Sequence, residues 1–300
     1  MTCKYTTFVV ASLLSVCVNA PTLAGSVTQP GETIGVAAGA PLPPGFYFVN
    51  TADWGCRTTR PAETCLFVDI PVVAWSTPWQ ILGARLQFLV AAPFLAVEVD
   101  ATATTPGLNR ASIYNPLISG QLAWDLGNGF GFSYLLGAYL RVQDALAWDS
   151  TSINQRFALS YTGGGWNLTA NVILGIHLDS VSSSAQISPC PDGSGRGCNP
   201  DFLNIDLTAT KKFGKWEIGP VAFYSTDLNR PIPSYAKQSQ FAVGGLVGYD
   251  FGPLILQAYL TTDVDENNYG GRDTRGWGRM IVPLGNPLAP PPPAPLVRKN

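Results

Sequence analysis

Apolar and polar residues alternate along Trp166–Leu178 (WNLTANVILGIHL). Trp166, Leu168, Ala170, Val172, Leu174, Ile176 and Leu178 share one parity, while Asn167, Thr169, Asn171, Gly175 and His177 share the other. Side chains of a strand point alternately to opposite faces, so this stretch predicts a strand with one apolar and one mostly polar face. Its length suits a tilted bilayer crossing with ends reaching into the interfaces. The same alternation recurs down the chain. Strands are predicted over about Gly45–Asp53, Leu66–Trp75, Leu82–Val90, Asn115–Trp124, Phe130–Gln143 and Ile153–Tyr161. After the first stretch they continue over Phe202–Phe213, Trp216–Thr226, Ser239–Phe251, Leu254–Thr262 and, weakly, Trp277–Leu284.

Tight turns and longer polar loops alternate between these segments. The short connections fall at Ser76-Thr77-Pro78, Asp125–Gly129, Gly163-Gly164-Gly165, Gly214 and Gly252-Pro253. The long ones fall near Asp100–Arg110, Asp144–Ser152, Asp179–Pro200 and Asn229-Arg230-Pro231, with an acidic loop after strand eleven. An even count of about twelve strands, short turns at one end and long loops at the other follow the rule of bacterial outer-membrane barrels. Trp75, Trp79, Trp124, Phe130, Tyr161, Trp166, Phe213, Trp216 and Phe251 crowd the tight turns, as an aromatic girdle at the periplasmic interface would. The alternative is a soluble sandwich whose core end these rings seal.

Composition and the amino terminus weigh against the sandwich. Only 13% of residues are charged, about half the usual share, and mean hydropathy is +0.14. Residues 1–24 resemble an export signal: Lys4, the apolar run Phe8–Val18, then Thr22-Leu23-Ala24 before Gly25. A lipoprotein signal ending at Cys17 is the alternative, although Val16 is bulkier than such signals tolerate. The most apolar later stretch, Ile81–Val97, carries Arg85, Gln87 and Pro93 and is too interrupted for a membrane helix. A hydrophobic exported chain without such a helix enters lipid by closing its strands, because only closure satisfies every backbone polar group. The expected architecture is therefore all-β: a closed antiparallel transmembrane β-barrel over 44–284. A Gly/Pro-rich periplasmic lead-in at 25–43 precedes it, and a proline-rich periplasmic tail at 285–300 follows. A net charge of −2 leaves no basic footprint for nucleic acid.

Four cysteines remain after the signal: Cys56, Cys65, Cys190 and Cys198. In an oxidising compartment they pair most naturally as Cys56–Cys65 and Cys190–Cys198, each stapling a long outer loop. A metal site is the alternative, but the one histidine, His177, lies outside both loops.

Leu42–Asn50, LPPGFYFVN, resembles the opening strand of an outer-membrane family of transporters of the phenol-degradation meta-pathway. Asn115-Pro116 with Gln121–Trp124 is similar to that family's middle hairpin, and Gly163–Asn171 to its later strand. The resemblance covers about residues 40–284. It implies a barrel and transport of small, often aromatic, molecules, and it brings no catalytic residues. The paired cysteines, the proline-rich tail and the lack of a terminal Phe depart from the pattern.

If apolar parity faces lipid, the lumen receives Asp69, Arg85, Gln87, Gln121, Tyr139, Arg141, Arg156, Asn167, Asn171, His177, Asp206, Glu217 and Gln257. These residues either brace the barrel as interior ion pairs or place Arg85, Arg141 and Arg156 around a constriction facing Asp206 and Glu217. Tyr139, Phe223 and Tyr259 add ring faces. His177 has no G-x-S-x-G partner, and hydrolysis is not expected. Asp263, Asp265, Glu266, Asn267 and Asn268 are oxygen-rich but lack an EF-hand's spacing, so they are expected to form a solvated outer loop. The reading is a monomeric, porin-like channel for small solutes, without cofactor or metal, contacting outer-membrane lipid and lipopolysaccharide. The rival is a structural or adhesive barrel whose stapled extracellular loops are the working surface.

Overall fold

The computed structural model describes residues 25–58, 63–101, 107–183 and 187–286. The export signal at 1–24 and nearly all of the proline-rich tail lie outside the described residues. In chain order the strands are β1 (Gly45–Arg57), β2 (Thr64–Ile81), β3 (Ala84–Ala91), β4 (Phe94–Val99), β5 (Leu108–Ile113), β6 (Leu117–Gly127), β7 (Phe130–Tyr139) and β8 (Ser152–Tyr161). Then follow β9 (Trp166–His177), β10 (Val181–Ser182), β11 (Gly197–Cys198), β12 (Phe202–Phe213), β13 (Trp216–Asp227), β14 (Ser239–Asp250), β15 (Ile255–Asn267) and β16 (Asp273–Gly285).

Twelve antiparallel strands close into a barrel, β1 pairing with β2 on one side and with β16 on the other. Two of the wall strands are broken once each. β3 and β4 are one strand interrupted at Ala92-Pro93, and β5 and β6 are one strand interrupted at Tyr114–Pro116. A proline cannot donate to the ladder, which confines each break to a proline position. The Tyr114 amide donates to the Pro93 carbonyl across the two breaks at 2.8 Å. The opening parity argument holds in β9, where Asn167, Asn171 and His177 are buried inward and Trp166, Leu168 and Ile176 are exposed outward. Val172 lies on the outward parity. A charge at mid-bilayer on a barrel's lipid face costs about 2–4 kcal/mol. Val172→Arg should therefore impair assembly, scored as loss of the heat-modifiable folded band on gels.

Several boundaries differ from the sequence expectation. The first hairpin turns at Leu82-Gly83 rather than at Ser76-Thr77-Pro78, and β2 runs on to Ile81. Polar side chains support that irregular stretch. Ser76 donates to the Leu42 carbonyl, and Thr77 donates to Leu86 O while accepting from the Trp79 amide. β7 ends at Tyr139, so Arg141 and Gln143 belong to the following loop. β15 extends to Asn267 and takes the first part of the acidic stretch into the wall, with Asp263 inward. β16 is a full strand of 13 residues. The tight turns use the expected chemistry: Asn128 and Gly129 both have positive φ, the backbone of a two-residue type I′ hairpin.

Both cysteine pairs are disulfides, and each is local. Cys56 and Cys65 face one another in register at the ends of β1 and β2. Cys190–Cys198 staples the loop between β9 and β12, packed against Tyr235. Within that loop the Ser194 hydroxyl and amide, with Arg196 beyond, hold the Asp192 carboxyl down to about 2. Closing so short a loop stabilises it by about 2–3 kcal/mol. Peptide mapping without reductant should recover the two local links, and Cys198→Ser should loosen this loop while leaving the heat-modifiable barrel intact.

Candidate functional site

The largest departure from the sequence expectation fills the lumen. The stretch expected as a periplasmic lead-in, 25–43, instead runs inside the barrel over residues 25–42 as a string of tight turns. Gln29-Pro30-Gly31-Glu32 has the proline-then-glycine signature of a type II turn. The Glu32 amide closes it onto Gln29 O at 3.1 Å, and Gly31 takes φ +90°. A second turn, Thr33–Val36, repeats the device with Gly35 at φ +82°. Farther along, a Cβ on Gly39 would sit 2.7 Å from both Gly131 O and Ser160 N, so only glycine lets this backbone approach the wall. Val27 and Ile34 of this plug are buried.

The wall side chains that bind the plug are largely those the alternation assigned to the lumen. Asp206 accepts from the Gly31 and Thr33 amides, both at 2.9 Å, and from the Thr33 hydroxyl at 2.6 Å. Asn167 and Gln257 donate to Gly35 O, and Asn171 donates to the Thr33 hydroxyl. Gln121 and Ser133 donate to Ala38 O. Glu217 accepts from Thr210 and Gln257, bracing the ring behind the plug. Buried polar groups need partners, and here plug backbone and wall side chains satisfy each other.

Other assigned residues stand elsewhere. Asp69 faces outward, on the parity of Phe67 and Val73, and accepts from Asn50 at 2.8 Å. The assignment inverted because both faces of β2 are apolar: Leu66, Val68, Ile70 and Val72 point inward. Arg141 lies in the β7–β8 loop, half exposed, paired with Asp149 at 2.5 Å. Arg85 sits near the tight-turn end, donating to Thr77 O. Gln87 is buried inward and donates to Ser76. The constriction of Arg85, Arg141 and Arg156 is therefore not assembled. Arg156 alone reaches the centre, where it pairs with Glu32 of the plug at 2.8 Å and donates to the Tyr139 hydroxyl at 3.1 Å. The ring of His177 lies 5.0 Å from that of Trp148 and 6.3 Å from that of Phe202, and neither nitrogen has a hydrogen-bond partner. No nucleophile is held against it among the described residues.

The alternation also missed residues that hold the centre. Arg279 directs its five N–H donors to Ile34 O, Glu32 O, Thr51, Gln257 and the Tyr259 hydroxyl. Arg275 pairs with Asp53 and with Asp273. Gly276 and Gly278 occupy the outward parity of β16, so the apolar signal was absent while Arg275, Trp277 and Arg279 pointed inward.

Among the described residues, cavities lie beside the plug. One of about 90 Å³ lies toward the long loops, lined by Leu66, Val68, Leu95 and Tyr114 on one side and Arg57, Asp263, Asp273 and Arg275 on the other. The second, about 160 Å³, lies toward the tight turns among Val72, Ala74, Leu89, Leu117, Leu135 and the plug's Val36, Ala37 and Leu42. Residues 47–280 match the family described as "Putative MetA-pathway of phenol degradation". The chain belongs to that family. In fold, the barrel is similar to an outer membrane channel from Pseudomonas putida F1. That pair is 13% identical with a TM-score of 0.65, covering 85% of this chain and 99% of that one. It is also similar to the β domain of a Bordetella autotransporter (11% identity, TM-score 0.50, 81% and 100% covered). No curated protein matches it in sequence. The span matched by the phenol-degradation family begins after the plug.

Proposed function

We propose that the protein is an outer-membrane channel for small, weakly polar solutes, aromatic molecules among them. The tight turns then face the periplasm and the disulfide-stapled loops face the exterior, and the barrel works as a monomer in contact with outer-membrane lipid and lipopolysaccharide. The observation that carries the reading is the lining of the lumen. Two cavities with aliphatic and aromatic walls, at Leu66, Val68, Leu135 and Tyr139, are edged by charges of both signs. Mixed charges give no strong ion selectivity, and apolar walls favour molecules with a hydrophobic body. Family membership and the fold shared with a channel support the same reading.

The structural or adhesive alternative has one observation in its favour, a lumen largely filled by its own chain. Liposomes carrying the purified protein should take up phenol and benzoate faster than protein-free liposomes and should take up a disaccharide far more slowly. Equal permeability with and without protein would leave the structural reading in place.

A further inference from the structure

The first half of the plug is bound asymmetrically, whereas farther along Ala38 O accepts from β6 and β7 and Leu42 O from Ser76 of β2. Bonds from residues 26–35 run to β1 through Asp53, to β8 through Asn154 and Arg156, and to β9, β12, β15 and β16. The facing wall is different. The inward row of β2, from Leu66 through Val68, Ile70 and Val72 to Ala74, runs past both cavities. At the usual rise per residue that row spans roughly 26 Å. Both cavities touch the same three residues, Glu32, Ile70 and Tyr139. At this shared lining the plug presents the Glu32 side chain, paired with Arg156.

We propose that solute passes a seated plug along β2, through a waist made by Ile70, Tyr139 and the Glu32–Arg156 pair. This route rests on the channel reading above. Ejecting the plug would break its whole set of bonds to the wall at once. Passing the waist breaks one ion pair, and Arg156 stays held by Asn154 at 2.8 Å and by the Tyr139 hydroxyl. A buried donor left empty is costly, whereas one that changes acceptor is not. The released Glu32 carboxylate lines both cavities, where it must be hydrated for the exchange to proceed. The solute class the waist fits is an apolar ring or short chain bearing one acidic or phenolic oxygen. Its oxygen replaces the Glu32 carboxylate on Arg156 by a charge-assisted bond while its body slides over Ile70.

The test is flux of benzoate and phenol into liposomes. Ile70→Trp and Ala74→Phe fill the crevice without touching a plug bond. Ser26→Cys with Asn204→Cys, whose native side chains are hydrogen-bonded at 2.9 Å, ties the start of the plug to β12 away from the waist. Glu32→Gln removes the competing carboxylate. The tied plug should conduct within about twofold of wild type, and either crevice filler should cut flux about tenfold or more while keeping a heat-modifiable barrel. Glu32→Gln should raise benzoate flux relative to phenol. A wild type no more permeable than empty liposomes overturns the channel reading and the route with it. A permeable wild type that the tie silences, or that both fillers leave unchanged, overturns the route alone.

Discussion

A chain lacking residues 27–39 is expected to assemble as a barrel whose single-channel conductance is several-fold above that of the full chain. The wall does not depend on the plug for its hydrogen bonds, since each of its twelve strands is laddered to two neighbours and β1 closes on β16. What the deletion removes is the burial of Val27 and Ile34, worth about 1.5–3 kcal/mol each, and the plug's bonds to Asp206, Asn167, Asn171 and Arg279. Those side chains then face water that enters the emptied lumen, so they are hydrated rather than orphaned. Planar bilayers measure the outcome, with heat-modifiable migration confirming assembly. A deletion variant that conducts like the full chain would show that the plug is not the barrier, and the loop between β7 and β8, where Leu146, Ala147 and Trp148 are buried, would take that role.

The same plug marks where sequence reasoning stopped. β9 and β12 were legible because each has one mostly polar face and one mostly apolar face, so parity alone gives orientation. β13 keeps polar residues inward only at its ends, with Val221 and Phe223 between. β12 was placed over its observed span, Phe202–Phe213. Parity failed at β2, whose outward and inward faces are both apolar, the inward one lining the cavities, and Asp69 was carried to the wrong side with it. β16 was caught only over its second half, Trp277–Leu284, for the opposite reason: its outward glycines carry no hydrophobic signal, so Arg275 fell before the expected strand and the inward role of Arg279 within it was missed. The plug has no periodicity at all. Backbone amides and carbonyls make many of its bonds, and these look the same in every sequence. The available signals were Pro30-Gly31 and the four-residue spacing of Gly31, Gly35 and Gly39, which mark turns and a close approach to a wall. Asn167, Asn171, Asp206, Glu217 and Gln257, which alternation assigned to the lumen, are buried side chains of the wall. That a segment of the chain would occupy the lumen was not predicted.

Arg279→Met is expected to unseat the plug without harming the wall. The arginine is buried, and its planar fork matches five acceptors, two of them the plug carbonyls of Glu32 and Ile34. Methionine keeps much of the volume and supplies no donor. Two plug carbonyls lose their partners, and each buried unsatisfied group costs about 1–3 kcal/mol. Because 1.4 kcal/mol is a factor of ten, the fraction of barrels with a displaced plug should rise at least about tenfold. Strand pairing is untouched, since Arg279 contributes to the β1 and β15 ladders only through its backbone. Cysteine labelling reads the change directly. Ile34→Cys, at a position with no exposed surface, should resist a water-soluble maleimide in the native background and react in the Arg279→Met background. Arg279→Lys should fall between the two, because an ammonium keeps the charge but cannot span both carbonyls together with Thr51, Gln257 and Tyr259. If Ile34→Cys labels equally in all three backgrounds, Arg279 does not hold the plug, and the three hydrogen bonds that Asp206 accepts from Gly31 and Thr33 are left as its principal anchor.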